Sequence, residues 1–161
     1  MAGVGNIFFG DDGFGPEVAR ALAAEPIAGV AIEDYGIRGL HLAYELLAGY
    51  DRVFLIDAVP RGGAPGTLYV LEPEMPEPAA APDAHRMDLE SVFALLHMIG
   101  GEPPPITIVG CEPSGAEETI GLSEPVRAAV APAVDLVRRL VAETLGAAHD
   151  NQERDRVWTE A

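Results

Sequence analysis

The sequence of 161 residues contains one cysteine, few basic residues and no long apolar run. The single cysteine, Cys111, excludes an internal disulfide and is typical of a protein from a reducing compartment. No apolar run approaches the roughly 20 residues that are needed to cross a bilayer. The chain also does not open with a charged segment followed by an apolar stretch, so no secretory signal is predicted. We therefore expect a cytoplasmic protein without a membrane anchor.

The scarcity of basic residues gives the chain a strongly acidic balance. Asp and Glu number 26 against 10 Lys and Arg, and the formal net charge is -16. Binding to nucleic acid requires stripes of Lys and Arg against the phosphates, so this composition argues against it. An acidic surface suits a basic peptide partner, and it also serves solubility alone. Apolar residues make up 48% of the chain, which predicts a packed domain rather than disorder.

Short β-branched runs alternate with helical patterns, which predicts a single α/β domain with a largely parallel sheet. The domain is expected over residues 1–146, with a disordered tail at 147–161. The strand at 62–73 follows its predecessor after too short a turn for a parallel crossover, so we expect it to be antiparallel. The other strands are expected at 1–5, 29–36, 52–60 and 105–113, and the helices after the first loop and at 39–50, 88–100 and 121–146.

The spacing of apolar residues predicts which face of each helix is buried. Ser123 is expected to cap the last helix, and Pro132 to bend that helix or to lie in its first turns. The predicted buried faces are Val18, Ala21 and Leu22; Leu40, Ala43, Tyr44 and Leu47; and Leu89, Val92, Phe93 and Leu96.

The glycine-rich loop "GNIFFGDDGFGP" (5–16) resembles a nucleotide-binding loop only superficially. Gly3 and Gly5 begin a G-x-G-x-x-G pattern, but Phe8 stands where the third glycine belongs. No Lys-Ser/Thr pair follows the glycines, and Asp11 and Asp12 would repel a phosphate. A nucleotide-binding α/β enzyme therefore remains only a minor alternative.

Asp12 and Asp57 follow two different predicted parallel strands and should reach the same edge of the sheet. Each also has a simpler explanation as a turn or helix cap. His85 is the histidine whose loop position lets it approach that edge. Two carboxylates and one imidazole suit a divalent metal with an open position, or acid–base chemistry on a peptide bond. Cys111 follows an apolar strand and is expected to be a small packed residue rather than a nucleophile.

Five segments of the sequence together resemble the [NiFe]-hydrogenase maturation endopeptidases. They are "GVGNIFFGDDGFGPEVA", "DRVFLIDAVPRGGAPGTL", "HRMDLESVFALL", "VGCEP" and "GLSEPVRAAV", in the order that this family has them. The resemblance extends from Gly3 to about Leu145. It implies a three-layer α/β/α sandwich on a five-stranded mixed sheet with one antiparallel strand, which is a phosphorylase/hydrolase-like fold.

The resemblance also implies a function and its residues. The protein is expected to remove a C-terminal peptide from a hydrogenase large-subunit precursor after nickel insertion. Asp12, Asp57 and His85 match the family's nickel-recognising trio, and nickel is presented by the precursor rather than held permanently; no other cofactor is expected. Asp11, Gly36, Arg38 and Gly39 are candidates for the peptide cleft, although Arg38 is equally explained as a solvated charge at a helix entry.

Two questions about this implied activity stay open at the level of sequence. The family is often classed as aspartic-type, but either the metal polarises the scissile carbonyl or an aspartate activates water. The same site residues would also serve a nickel-sensing module that binds the precursor without cutting it. One precursor per endopeptidase requires no dimer, so a monomer is expected.

Overall fold

The computed structural model describes residues 1–73, 89–115 and 117–159. A five-stranded sheet is flanked by helices, and a 3-10 turn at Gly10–Gly13 follows the first strand. Within these ranges no helix is long and apolar enough to cross a membrane. The strands are β1 Ala2–Val4, β2 Glu33–Gly36, β3 Val53–Ala58, β4 Leu68–Leu71 and β5 Ile106–Cys111, and the helices are α1 Phe14–Ala23, α2 Gly39–Leu46, α3 Leu89–Met98 and α4 Glu124–Thr159.

The strand order in the sheet is β2-β1-β3-β5-β4. Four strands are parallel, and β4 pairs antiparallel with β5. The predicted fold class, including the reversed fourth strand, is therefore confirmed. β2 is shorter than predicted, since it begins at Glu33 rather than at residue 29.

The side chains of β3 divide the core into two layers. Val53 and Leu55 pack with residues of α2 and α3, whereas Phe54 and Ile56 pack with residues of α1 and α4. A strand that is covered on both faces needs apolar residues at every position, which explains the continuous run in the sequence. The result is a sandwich of two helical layers around one sheet.

Helix α1 lies unusually close to the centre of the sheet. A Cβ atom on Gly15 would lie 2.2 Å from the carbonyl oxygens of both Val4 and Ile56. Val18 and Leu22 are buried as predicted, but the prediction for Ala21 was wrong, because Ala21 is exposed and Ala19 is buried. The close approach of Gly15 rotates the helix so that Ala19 contacts the sheet.

The buried face of α2 differs from the predicted one. Ala43 is buried as expected, but Leu40, Tyr44 and Leu47 are exposed. Apolar residues occur on most sides of this helix, so spacing alone does not distinguish the inward side. The small residues Gly39 and Ala43 allow close packing and select a face of four residues, namely Gly39, Leu42, Ala43 and Leu46.

The last two helices confirm part of the predicted pattern. In α3, Val92, Phe93 and Leu96 are buried, and the side chain of Leu89 lies outside the described residues. Helix α4 is continuous through Pro132. It extends to Thr159 rather than ending at residue 146, so the prediction of a disordered tail from residue 147 was wrong for the backbone up to that point. Gly146 lowers helix propensity by about 1 kcal/mol, but alone it does not end a helix.

Candidate active site

The strand order places a switch point between the carboxyl ends of β1 and β3, which is where an open α/β sheet forms its binding crevice. In the sheet, β2 lies on one side of β1 and β3 lies on the other side. β5 and β4 follow beyond β3. In open α/β sheets the chain departs in opposite directions at such a point, and ligands bind there. Asp57 is the fifth residue of β3, and Asp12 lies in the 3-10 turn that follows β1.

Asp12 is held in place by the backbone of the first loop. One oxygen of its half-buried carboxylate, Oδ2, accepts a hydrogen bond of 2.7 Å from the backbone N–H of Asn6. Gly5 lies directly beneath it with φ of +126°, and a Cβ atom there would be 1.9 Å from the Asp12 carbonyl oxygen. Only glycine fits this position, so the glycine-rich loop positions Asp12 rather than cradling a phosphate.

Asp57 carries an unusual protonation equilibrium. Its Oδ1 accepts a hydrogen bond of 2.8 Å from the backbone N–H of Ala58. Burial, followed by the negative charge of Asp12, raises the pKa of Asp57 to about 7 despite that hydrogen bond. The structure thus places these two predicted residues close enough for their charges to interact. A carboxyl group with such a pKa can accept or donate a proton near neutral pH.

His85, the third predicted member, lies outside the described residues. In the part of the chain that is described, no three His, Cys, Asp or Glu side chains form a metal-binding group. Helix α3 begins four residues after His85 and packs beside α2. A Cβ atom on Gly101, beyond the end of α3, would lie 2.4 Å from Leu47, beyond the end of α2. The two helices therefore run in the same direction, and both begin near the carboxyl edge of the sheet.

Asp11 has a different role from its neighbour. Its buried carboxylate accepts hydrogen bonds from the backbone N–H groups of Ser114 and Ser123, both at 2.7 Å, and from the Ser123 hydroxyl at 2.9 Å. Asp11 thus joins the first loop to the segment before α4. It also lines a cavity of about 400 Å³ between these loops, as a cleft candidate would, but its carboxylate is already engaged.

Ser123 stands at the predicted cap position of α4. Its carbonyl oxygen accepts a hydrogen bond of 2.8 Å from the N–H of Arg127, which begins the helix. Its hydroxyl, however, bonds to Asp11 and to the Ser114 hydroxyl. The predicted position is confirmed, while the hydroxyl joins two loops.

We expect substitution of the two adjacent aspartates to have different effects, one on stability and the other on activity. Asp11→Ala should lower the free energy of unfolding by about 2–3 kcal/mol, because three donors lose a charged acceptor. Asp12→Ala should cost about 1 kcal/mol or less, because one hydrogen bond is lost, and should instead reduce activity. Equilibrium urea unfolding of both variants measures the difference. Equal destabilisation would contradict this division of roles.

The other cleft candidates lie where β2 ends. Gly36 has φ of +51°, and its carbonyl oxygen accepts a hydrogen bond of 3.1 Å from the Gly5 N–H. The Arg38 guanidinium donates to the carbonyl oxygens of Asp34 and Tyr35 and lies 5.8 Å from the centroid of the Tyr35 ring. These contacts hold Arg38 at the end of β2, while its side chain remains 48% exposed. Gly39 is buried at the start of α2.

Glu112 is a residue of the site region that sequence reasoning missed. Its buried carboxylate accepts hydrogen bonds from the N–H groups of Arg61 (2.8 Å) and Gly62 (3.0 Å) and from the Tyr69 hydroxyl (2.7 Å). These bonds, that of Tyr69 first, lower the pKa of Glu112. Glu112 thus fixes the loop that follows Asp57. An acid that ends an apolar run was the available signal, as it was for Asp57.

Cys111, immediately before Glu112, is fully buried. Burial raises the pKa of its thiol to about 11, so the thiol stays protonated at neutral pH. A protonated, inaccessible thiol is a poor nucleophile. The prediction that Cys111 is a packed residue is therefore confirmed.

The fold is an α/β sandwich that brings two carboxylates together at the switch point of its sheet. The model of the hydrogenase maturation protease family matches residues 16–140. The chain therefore belongs to the hydrogenase maturation protease family, and it is an enzyme of the protease class.

Individual relatives agree with this assignment. The chain is 33% identical over 150 residues to the hydrogenase 2 maturation protease of Escherichia coli (strain K12), covering 89% of this chain and 90% of that protein. It is 32% identical over 147 residues to the hydrogenase expression/formation protein HupD of Rhizobium leguminosarum bv. viciae, covering 88% and 72%. The structure of the hydrogenase maturating endopeptidase HybD from E. coli matches with a TM-score of 0.73 and 31% identity, over 89% of this chain and 91% of that one.

Proposed function

We propose that this protein removes the C-terminal extension of a [NiFe]-hydrogenase large-subunit precursor after nickel has been inserted, and that it acts in the cytoplasm as a monomer. The observation that carries the proposal is the Asp12–Asp57 pair at the switch point, in a chain that belongs to the maturation protease family. The substrate is a protein with a bound cation. An acidic loop at the crevice suits such a substrate.

In this proposal the two carboxylates and His85 recognise the nickel of the precursor. Carboxylate oxygens and an imidazole nitrogen form a donor set that suits a divalent transition metal. Asp12 is fixed by Asn6 and Gly5, so it supplies a preorganised oxygen. His85 precedes Leu89, where α3 begins near the same edge, by four residues. That placement supports the inclusion of His85.

Asp57 is the residue that the geometry favours for proton transfer. Hydrolysis adds one water to the scissile carbonyl, and the water proton must reach the amine that leaves when the C–N bond breaks. In the free protein the pKa of Asp57 is about 7, so a carboxyl oxygen that is not bound to the nickel can accept that proton and release it again at neutral pH. The metal of the substrate, when it is bound, would add Lewis-acid polarisation of the carbonyl.

A processing assay tests this proposal. The purified protein is incubated with its large-subunit precursor, either nickel-loaded or nickel-free, and the product is measured by gel shift and intact mass. We expect a shortened precursor only in the nickel-loaded reaction. Asp135→Asn, which changes an exposed acid on α4, serves as the matched control and should process normally.

The other outcomes of the assay are also informative. Cleavage of both precursors would retain the protease and discard the dependence on nickel. Nickel-dependent complex formation without cleavage would replace the protease with a sensing module.

A further inference from the structure

Four large apolar side chains are exposed on α2 and at its two ends. Their exposed fractions are 62% for Ile37, 45% for Leu40, 54% for Tyr44 and 43% for Leu47. Leu40 and Tyr44 lie in α2 and Leu47 is its C-cap, so spacings of four and three residues place these three side chains on one side of the helix. Ile37 lies in the turn that precedes the helix. We call these four residues the outer stripe.

The outer stripe lies outside the buried core, and Leu47 at its end lies close to Gly101 beyond α3. Three of its members have the spacing that predicts a buried face, yet Leu42, Ala43 and Leu46 occupy the inward side. An exposed line of large apolar side chains is unusual on a soluble domain and is typical of a surface that binds another protein. At 1.5 Å per residue the helical part of the stripe, from Leu40 to Leu47, is about 10 Å long, enough for about two turns of a partner helix.

The outer stripe begins beside the crevice that holds the aspartate pair. Ile37 follows Gly36, whose carbonyl oxygen accepts the hydrogen bond from Gly5 N–H. The next residue after Gly5, Asn6, donates its N–H to the Asp12 carboxylate. A protein that lies along α2 therefore has one end at the site where we place the chemistry.

The charge of the chain indicates what kind of surface the outer stripe binds. Glu33 and Glu45 are exposed acids on β2 and α2, and they line a cavity on the flank of α2 where Leu42 and Leu46 lie. The cation Arg38 lies 3.8 Å from Glu33 and is engaged with the end of β2. The whole chain carries a net charge of -16. Two copies would repel each other across this face, whereas a partner with Lys or Arg around an apolar centre would be attracted.

We propose that the outer stripe is a docking surface for the large-subunit precursor, on which it binds an apolar helix or strip bordered by basic residues. The inference rests on the proposed function for the identity of the partner. Docking along α2 would hold the precursor in place while its C-terminal segment enters the crevice. Remote binding of this kind raises substrate affinity without entering the chemical step.

The test is a steady-state analysis of a double variant, Leu40→Ser with Tyr44→Ser, on the nickel-loaded precursor. We expect KM to rise about 10-fold or more while kcat stays within about 2-fold, because uniform binding is lost. The matched control is Met98→Ser with Leu145→Ser, which removes two exposed apolar side chains outside the stripe and should leave KM unchanged. An unchanged KM in the stripe variant overturns the proposal.

A charge introduced into the stripe at Leu40 provides a second measurement, because its sign should decide how much binding is lost. Leu40→Lys should raise KM more than Leu40→Asp, and the difference should shrink at high salt. The opposite order would contradict a basic partner surface.

Thermal melting and sedimentation test whether another segment of this chain or a second copy of the protein covers the stripe instead. A melting temperature in the double variant equal to that of the control shows that no segment of this chain covers the stripe. A clear loss of melting temperature, or a wild-type dimer that dissociates in the double variant, overturns the proposal.

Failure of the proposed function would be seen separately from failure of docking. If the wild-type protein does not cleave the precursor, the proposed function fails. Binding of the labelled precursor to Asp57→Asn, with and without the two stripe substitutions, then still tests docking. Equal affinity in both proteins, or no binding by either, overturns the outer stripe as a docking surface.

Discussion

Asp57→Asn should reduce processing of the nickel-loaded precursor by about 100-fold or more, which is the range for loss of a group that transfers protons. Asparagine has nearly the same shape, and its side-chain oxygen can still accept the hydrogen bond from the Ala58 N–H. It cannot take up a proton at neutral pH, and it is a weaker metal ligand than a carboxylate. The measurement is the initial rate of precursor shortening, with Asp135→Asn as the control.

The same substitution should change stability in the opposite direction. The pKa of Asp57 is raised from its ordinary value of 3.8 to about 7, first by burial and second by the charge of Asp12. As pH rises from about 4 to about 7, the unfolded chain therefore releases a proton that the folded protein retains, and stability is lost. In Asp57→Asn this loss is absent, so the variant should be at least as stable as the wild type at pH 8.

Urea unfolding at pH 4 and pH 8 measures this linkage. The wild type should lose stability between the two pH values by a larger amount than the variant, with the remaining titratable groups common to both proteins. A variant that processes normally would remove Asp57 from the mechanism. A variant that is inactive and also unfolded would leave the role to be tested by Asp57→Glu.

Gly15→Ala should lower the free energy of unfolding by about 3–5 kcal/mol, which is at the upper end for a single substitution. The added Cβ atom would lie 2.2 Å from two carbonyl oxygens of the central strands and 2.8 Å from the Val4 backbone nitrogen. These are backbone atoms of β1 and β3, so they cannot move aside as a flexible side chain would. Helix α1 would have to move outward and give up its packing at Phe14 and Val18.

The matched control for this prediction is Gly146→Ala. Gly146 is also helical, but it is exposed, and a Cβ atom there would have no neighbour within 4 Å. That change should stabilise the protein by about 0.5–1 kcal/mol, because alanine has the higher helix propensity. Equal effects at the two glycines, measured by chemical unfolding, would show that the close approach of α1 is not critical.

The sequence predicted those features that depend on local pattern or chain direction. The apolar run of β3 identified a strand covered on both faces, and the short turn before β4 gave its antiparallel direction correctly. The convergence of Asp12 and Asp57 followed from the rule that parallel strands end at one edge. These features require no knowledge of how side chains pack.

Features that depend on packing were not predicted. For α2, two apolar faces satisfied the same spacing, and only the close fit of Gly39 and Ala43 selected one of them. Asp11 and Asp12 are identical in sequence context, yet one joins two loops and the other faces the crevice. The role of Glu112 depends on donors that lie about 50 positions away in the chain, which a local pattern does not contain.

The orientation of α4 has a practical consequence for any assay on this enzyme. The helix begins next to Ser123, which is bonded to Asp11 at the carboxyl edge of the sheet, and it leads away from that edge. Val141 is its last buried residue among those whose side chains are described, whereas the helix itself continues to Thr159. Those 18 further residues extend about 27 Å at the usual helical rise. If an affinity tag or a sensor surface is attached beyond Thr159, the helix separates it from the crevice. The crevice then stays open to a large precursor.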